Sequence, residues 1–519
     1  MKLFDANGDF HPSAEGKELR RLAIRGGAAT ICAAALALAV QVVSTVILAR
    51  LLTPADFGVV AMVTTFVMFL MGVGANGCNE AIIQRSKMDR FLASNLFWIN
   101  LAVGLILMVS FAGAGSLLAQ FYKNPLVAKI AVATSPGILI ASLSVVPVAL
   151  LKRAMRFASV SANDLTGRAV NTAVTVLLAL RGWGYWSLVA GILAQALSIS
   201  IGAWWLCRWI PSLPRRRVGT RAVLRFAGHV YGSFNAGYFT RNFDNLLVGW
   251  RFNAVALGYY KRAYDLFALS ASQLTAPLNN VALAALSRVK DDPARVRRHL
   301  VSSLGMIAFI GMAMGADLTL VGKDVVRLVL GSKWAESGRI FQLFGPGIGV
   351  MLLYSTIGWI HVSMGKPERW FRWMLVEATA TGLSFLVALP WGPTGIAVAW
   401  SVSYWILLVP AFWYAGRPIN FGPSLLLGAV WKYALAALVA GCSIFMLRRL
   451  TFSGSPGSLF HTFEEIVLIS VAFSILYLGA IILLHRGFLP LRQLKDLLRE
   501  LAPASRTRAL KIAVTESEC

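Results

Sequence analysis

Acidic residues and cysteines are both scarce in this chain. Only 23 Asp and Glu stand against 49 Lys and Arg, and the five cysteines have no paired spacing. Scattered cysteines of this kind argue against a disulfide framework and a zinc site. The sequence also lacks a GxxxxGK[ST] phosphate loop, which excludes ATP hydrolysis by the usual Gly-rich cradle. Because no His, Cys and carboxylate residues have catalytic spacing either, we expect neither an enzyme nor a bound metal or cofactor.

Long apolar stretches, in contrast, recur along the whole chain. Hydrophobic residues make up 57% of the sequence. They form fourteen segments of roughly 20 residues, each long enough as a helix to cross a hydrocarbon core of about 30 Å. Helices are required there because lipid cannot satisfy bare backbone groups. The sequence predicts an all-α polytopic membrane protein with fourteen transmembrane spans, which begin near Ala28, Phe57, Phe91, Leu126, Ser159, Tyr185, Ala222, Ala263, Leu300, Ile340, Trp370, Gly395, Ser424 and Glu465.

Lys and Arg are unevenly distributed between alternate loops. Roughly two thirds of them fall in one set of loops, which the positive-inside rule assigns to the cytoplasm. Both termini belong to that set, as an even number of spans requires. Topology and attraction to anionic lipid then explain the net charge of +26, so no nucleic-acid partner is expected.

The two halves of the chain are faintly alike. RLLTPADFG at 50–58 follows the first span, and RFNAVALG at 251–258 follows the seventh. Repeated bundles are a common transporter plan. The predicted organisation is an amphipathic cytoplasmic N-terminus (1–26), an N-lobe of spans one to six (27–207), a basic cytoplasmic linker (208–221), a C-lobe of spans seven to twelve (222–416), spans thirteen and fourteen (417–485), and a basic amphipathic cytoplasmic tail (486–519).

Seven short motifs occur in a characteristic order. They are RLLTPADFGVVAM (50–62), AIIQR (81–85), ALLKRAMRF (149–157), WGYWSLVAG (183–191), DNLLVGWRF (244–252), LGYYKRAYDL (257–266) and VVRLVLGSKW (325–334). Through them the sequence resembles the polysaccharide-exporter branch of the multidrug/oligosaccharidyl-lipid/polysaccharide superfamily, which includes O-antigen and exopolysaccharide repeat-unit flippases. Ala284, where the family often has proline, and Glu80, where it has small or apolar residues, depart from the pattern and leave the substrate open.

The resemblance implies two pseudo-symmetric six-helix lobes around a central cavity with alternating access, and two additional C-terminal helices that could form a groove for a lipid tail. It implies a flippase that translocates polyprenyl-pyrophosphate-linked oligosaccharide repeat units across the bacterial inner membrane. The implied partners are this substrate, membrane lipids, an H⁺ or Na⁺ coupling ion, and polymerase or export machinery. A drug/cation antiporter of the same superfamily is the main alternative; a glycosyltransferase or polymerase and a non-transporting scaffold are weaker ones.

Charged residues inside spans are costly, so they mark candidate substrate paths. The seventh span carries an unusual polar load, including Arg241, Asp244 and Asn245. Arg241 and Asp244 are three residues apart and could pair on one helix face. The pair either locks the lobe together or makes Arg241 available to pyrophosphate, with Asp244 balancing it. His229 in the same span is either a proton carrier or a structural histidine.

The other candidates lie in the fifth, eighth and eleventh spans. Asp164 and Arg168 are four apart and could repeat the opposite-charge pairing, either facing the cavity or as an internal pair. Glu377, in the eleventh span, is a better candidate for cation or proton coupling than His229. Arg262 could receive the head group, although it could equally be a solvated helix start. Several amides could bond either sugar hydroxyls or neighbouring helices, among them Asn95, Asn100, Asn163, Asn171 and Gln195.

Overall fold

The computed structural model describes residues 4, 10, 17–85, 88–215, 237–238, 241–269, 271, 292–365, 367–451 and 459–488. Apart from isolated β-bridge positions at Phe4, Phe10 and Asp89, the regular structure in these ranges is helical. The helices are α1 (Lys17–Leu51), α2 (Pro54–Gln84), α3 (Arg90–Phe121), α4 (Leu126–Arg153), α5 (Phe157–Leu180), α6 (Tyr185–Cys207), α7 (241–251), α8 (254–269), α9 (Pro293–Leu330), α10 (Ala335–Tyr354), α11 (Ile357–Ser363), α12 (Pro367–Ala388), α13 (Gly392–Gly416), α14 (Pro423–Thr451) and α15 (Leu459–His485).

The predicted all-helical membrane fold is confirmed in its general form. Ten helical stretches of the described chain are long and apolar enough to span a membrane, and one of them, Glu368–Ile419, contains both α12 and α13. Helix α5 is not among the ten, because its polar residues, including Asp164 and Arg168, make it less apolar. The total of fourteen spans and the placement of the termini stay predictions.

The chain divides into two compact units. Unit 1 comprises Met1–Arg262, Val329–Trp334 and Phe385–Pro393; unit 2 comprises Ala263–Leu328, Ala335–Ser384 and Thr394–Cys519. The predicted N-terminal amphipathic segment continues as helix into the first span, since α1 runs unbroken from Lys17. Most of the predicted C-terminal amphipathic tail lies outside the described residues.

Small residues and amides hold the helices of unit 1 close together. A Cβ on Gly202 of α6 would lie 1.9 Å from Asn163 Oδ1 of α5, so only glycine allows this approach. Asn163 Nδ2 donates to the Ile199 carbonyl at 2.9 Å, and Asn171 Nδ2 donates to Gln195 Oε1 at 2.7 Å. These amides therefore serve helix–helix packing, the second of the two roles that the sequence left open.

The predicted basic linker begins as an extended segment fixed to α3. Asn95 makes two hydrogen bonds to the backbone of Arg215: its Nδ2 donates to the carbonyl at 2.7 Å, and its Oδ1 accepts from the N–H at 2.9 Å. The Arg215 guanidinium also lies 3.8 Å from the centre of the Phe91 ring. Asn95 is thus a structural residue that fixes the start of the linker to the third span.

In unit 2, an ion cluster ties α14 and α15 to α9. Arg448 donates to Asp324 Oδ2 at 2.7 Å and to the Leu320 carbonyl at 2.8 Å, and its guanidinium lies 3.1 Å from Glu465 Oε1. The three charged side chains are 15–28% exposed, so they are largely withdrawn from solvent. Farther along α15, the Tyr477 hydroxyl donates to the Phe309 carbonyl of α9 at 2.7 Å. The last two helices are therefore fastened to α9 at two levels.

We expect Arg448→Gln to lower the stability of the protein. The substitution leaves the carboxylates of Asp324 and Glu465 facing each other without the shared cation. We expect this to lower the free energy of unfolding by about 2 kcal/mol, because removing one partner of a largely buried ion pair is strongly destabilising. The melting temperature in detergent should fall by several degrees. Arg449→Gln is the matched control, since Arg449 stacks on Phe445 and lies outside the cluster. An equal loss in both variants would contradict a specific role for the cluster.

Candidate functional site

Two corresponding helices of the halves cross at very close range in unit 1. Helix α2 starts after Thr53 and α8 after Asn253, and both side chains act as N-caps: Thr53 Oγ1 accepts from the Asp56 N–H, and Asn253 Oδ1 accepts from the Ala256 N–H. The glycine five positions after each cap lies at the crossing point of the two helices. The thin sequence repeat therefore corresponds to the same capped helix start in both halves.

The crossing is reciprocal and leaves no room for a side chain. A Cβ on Gly58 would lie 1.6 Å from the Ala254 carbonyl oxygen, and a Cβ on Gly258 would lie 1.9 Å from the Pro54 carbonyl oxygen. Such distances permit glycine only, as at other close helix contacts in membranes. The contact, here called the outer crossing, lies at the end of the spans that the charge pattern assigns to the outside of the membrane.

Aromatic side chains seal the outer crossing. The fully buried Trp334 donates from Nε1 to the Ala49 carbonyl at 2.8 Å and packs edge-on against Phe57 and Tyr259. The Arg262 guanidinium lies 3.6 Å from the centre of the Phe57 ring, a cation–π distance. Arg262, predicted as a possible head-group contact, is thus one of the groups that close this end.

Next to the outer crossing, α7 and α8 share a buried polar contact. The Tyr260 hydroxyl donates to Asp244 Oδ2 at 2.8 Å, and the Asn245 N–H donates to Asp244 Oδ1 at 2.8 Å. Asp244 and Asn245 are each 2% exposed. Both side-chain polar atoms of Asn245 are buried without a hydrogen-bond partner in the structure, an uncommon and costly arrangement. This carboxamide can therefore gain hydrogen bonds if the surroundings rearrange or a ligand arrives.

The expected ion pair between Arg241 and Asp244 is replaced by other contacts. Asp244 faces α8 and bonds to Tyr260, whereas Arg241 of α7 is exposed, and none of the ion pairs among the described residues includes it. The three-residue spacing indicated that Arg241 and Asp244 share a helix face, but the Asp244 carboxylate accepts a hydrogen bond from the Tyr260 hydroxyl of the neighbouring helix instead. Arg241 consequently has its guanidinium available.

Tyr260→Phe is expected to weaken the protein by removing one donor to a buried carboxylate. Hydrogen bonds to charged groups contribute about 1.5–3 kcal/mol, so thermal stability should fall measurably and transport with it. Asp244→Asn should restore part of the stability in the double variant, because a neutral amide needs fewer donors. A double variant no more stable than Tyr260→Phe alone would show that the hydrogen bond contributes little.

Asp164 and Arg168 form the predicted pair on α5. Arg168 Nε lies 3.4 Å from Asp164 Oδ2, and the side chains are 42% and 55% exposed for Arg168 and Asp164 respectively. An exposed ion pair within a span cannot face hydrocarbon without a large cost. The pair therefore requires a wet surface on this side of α5.

In unit 2, Glu377 belongs to a polar aromatic cluster that sequence reasoning missed. Its carboxylate interacts electrostatically with the Tyr354 hydroxyl, which accepts from Trp373 Nε1 at 2.7 Å. The Tyr404 ring packs edge-on against Tyr354 with centroids 5.3 Å apart. Spacing along α12 could have indicated Trp373, four residues before Glu377, but Tyr354 and Tyr404 come from α10 and α13.

The remaining sequence candidates complete the account. His229, the second coupling candidate, lies outside the described residues. Among the residues that the structure places, no group of three or more His, Cys, Asp or Glu side chains could hold a metal ion. Unit 1 thus combines charged and polar side chains in its predicted spans with a tightly closed helix crossing, and unit 2 contributes the separate Glu377 cluster.

A protein-family model decides which proteins the chain belongs with. Residues 47–339, more than half of the chain, match the model described as polysaccharide biosynthesis protein. The chain is a member of this family. Its matched region includes α7, α8 and the outer crossing. The resemblance inferred from the seven motifs is confirmed, and the chain is a multi-pass membrane transport protein of polysaccharide biosynthesis.

Relatives with established names agree with the family. The succinoglycan biosynthesis transport protein ExoT of Rhizobium meliloti (strain 1021) is 25% identical over 64% of this chain and 68% of its own length. The lipopolysaccharide biosynthesis protein WzxC of Escherichia coli (strain K12) is 21% identical over 63% and 66%.

A solved structure also shares the fold. Lipid II flippase MurJ in an inward closed conformation superposes with a TM-score of 0.69 at 16% identity, covering 89% of this chain and 99% of that one. At this identity the likeness shows the fold alone. The polysaccharide biosynthesis family and this transporter fold are thus established together, whereas the substrate is a separate question.

Proposed function

We propose that this polysaccharide biosynthesis protein is a flippase that moves polyprenyl-pyrophosphate-linked oligosaccharide repeat units across the bacterial inner membrane by alternating access. The observation that carries the proposal is the exposed, unneutralised guanidinium of Arg241 within the predicted seventh span, in the same unit as the exposed Asp164–Arg168 pair. Sugar hydroxyls and ionised phosphates cannot cross hydrocarbon without replacement hydrogen bonds and countercharge. Arginine supplies both to a phosphate, through its planar set of donors.

The outer crossing supplies the closed end that alternating access requires. The reciprocal backbone contacts at Gly58 and Gly258 block this end of unit 1, so a substrate could leave outward only after α2 and α8 separate. Separation would also free Asn245, whose amide has no partner in the closed arrangement. We therefore propose that the crossing is the outer gate and that Asn245 helps to satisfy the substrate once the gate opens.

The lipid tail needs a different surface. A shallow, largely apolar groove of about 610 Å³ runs along α15 and is lined by this helix alone, chiefly by Phe463, Val467, Val471 and Ile475, with Glu464 as its one charged residue. Its walls match the chemistry of a polyprenyl chain, and α15 is fastened to α9 by the Arg448 cluster and Tyr477. We propose that this groove carries the lipid tail while the head group crosses along the polar path, by which we mean Arg241 and the Asp164–Arg168 pair of unit 1.

Glu377 is the proposed coupling group. Its interaction with the Tyr354 hydroxyl would change when a proton or a small cation binds the carboxylate. A drug/cation antiporter would also use an acidic residue, but it would have no need for the exposed arginines of unit 1. The flippase and the antiporter therefore differ in the charge of the substrate, which is an anionic pyrophosphate for the flippase and a cationic drug for the antiporter.

Lipid extraction from cells that lack this protein tests the proposal. Mass spectrometry should find accumulated polyprenyl-pyrophosphate oligosaccharide, together with reduced surface polysaccharide, and the wild-type chain should relieve both. The accumulated species would also identify the glycan. Normal surface polysaccharide without a trapped precursor, combined with new sensitivity to cationic drugs, would move the chain to the antiporter class.

A further inference from the structure

A polar cluster built on one tyrosine lies in unit 2, where α11, α12 and α13 meet. His361 of α11 is 2% exposed, and its ring packs 5.9 Å from the ring of Tyr414. Arg369 of α12 stacks its guanidinium over the same ring, with Cζ 4.5 Å from the centroid, and donates from Nη2 to the Tyr414 carbonyl. One tyrosine therefore positions both nitrogen-bearing side chains.

Each of the two side chains has one buried nitrogen without a hydrogen-bond partner. His361 Nε2 and Arg369 Nε are both buried and have no hydrogen-bond partner in the structure. Buried polar atoms are almost always paired, so two unpaired nitrogens around one ring need an explanation. A satisfied structural histidine would have a partner at this position.

The guanidinium charge is also uncompensated. Among the ion pairs of the described residues none involves Arg369, whose contacts are a carbonyl and an aromatic ring. Two neighbours add positive charge: Arg372 is exposed one turn along α12, and Arg417 stacks on Trp413 near the end of α13. The exposed Glu368 beside Arg369 offsets one of these charges. Arg369 also lies in the first turn of the 22-residue α12, where the helix dipole favours anions.

We infer that His361 and Arg369 form a binding site for a lipid-borne phosphate group. Two preset N–H donors, with the imidazole in its Nε2–H form, a net positive surrounding and a helix N-terminus together match the oxygens of a phosphate or pyrophosphate. The positive-inside rule assigns this end of the spans to the cytoplasm, where a lipid-linked substrate is made available. The inference rests on the proposed function and deepens it: the site receives the substrate's phosphates before the head group enters the polar path.

The same chemistry occurs in the head groups of anionic lipids, so the test must separate two sources. We would reconstitute the full chain in phosphatidylcholine nanodiscs and measure binding of farnesyl pyrophosphate, with and without phosphatidylglycerol in the disc. Three variants are compared. His361→Phe keeps a ring for packing and removes the donor, Arg369→Lys keeps the charge and removes Nε–H, and Arg298→Gln is the control, because Arg298 is an exposed arginine of α9 outside the cluster.

His361→Phe and Arg369→Lys should each weaken farnesyl pyrophosphate binding at least tenfold, whereas Arg298→Gln should change it less than threefold. Competition by phosphatidylglycerol would assign the site to lipid head groups, and its absence would assign the site to the substrate. Unchanged binding in both variants, with normal melting temperatures, would overturn the inference. That failure is separate from failure of the proposed function, which is measured by precursor accumulation in cells.

Discussion

Arg241→Ala is expected to abolish transport while the protein reaches the membrane at its normal level. The guanidinium is exposed and enters none of the ion pairs found among the described residues, so its removal leaves no buried group unpaired. The substitution should instead remove the countercharge for pyrophosphate. We therefore expect the transport rate to fall at least a hundredfold. Precursor accumulation in complemented deletion cells measures the effect.

Two control variants make this prediction specific. Arg241→Lys should recover part of the activity, because a point charge remains but bidentate phosphate geometry is lost. Arg251→Ala removes an exposed arginine from the other end of α7 and should leave transport within twofold of wild type. If Arg241→Ala lowers membrane abundance in proportion to activity, Arg241 is a structural residue and its proposed role is wrong.

Gly58→Ala is expected to force the outer crossing apart. A methyl group there would lie 1.6 Å from the Ala254 carbonyl oxygen, far inside van der Waals contact, and backbone cannot yield as a flexible side chain can. The helices must therefore shift by more than an ångström, which should favour the arrangement that is open to the outside. Transport should fall at least tenfold, because the gate can no longer close.

Cysteine accessibility measures this opening. Leu257 lies beside the crossing and is 1% exposed, so Leu257→Cys in a background without native cysteines should react slowly with a membrane-impermeant maleimide. Adding Gly58→Ala, or Gly258→Ala on the opposite helix, should raise the labelling rate at least tenfold. Gly113→Ala is the control, since a Cβ there meets no atom within 4 Å. Unchanged labelling in well-expressed Gly58→Ala and Gly258→Ala proteins would contradict a gate at this crossing.

The sequence was informative wherever a feature is local in the chain. Apolar length predicted membrane helices, four-residue spacing predicted the Asp164–Arg168 pair, and ordered motifs predicted the family. The paired repeat segments at 50–58 and 251–258 correspond to equivalent capped helix starts. Each single span, charge pair, motif or capped helix start depends on residues within a few helical turns of one another.

Features that depend on which helices become neighbours could not be predicted. Asp244 was matched with Arg241 on its own helix, but the structure gives its carboxylate to Tyr260 of α8. Tyr354 and Tyr414 likewise reach Glu377 and Arg369 from other helices. A tyrosine carries no charge or periodic signal that marks it as a partner, and a single sequence does not specify which non-adjacent helices pack together.

Flipping by the purified protein tests the central claim most directly. The chain would be reconstituted into vesicles that contain a labelled polyprenyl-pyrophosphate oligosaccharide in both leaflets, and a membrane-impermeant glycosidase would be added outside. The account predicts that digestion proceeds from the outer-leaflet share to nearly all of the substrate with the wild type, and stops at the outer-leaflet share with Arg241→Ala. Digestion that stops at the outer-leaflet share with a well-folded wild type, under either direction of proton or sodium gradient, would contradict it.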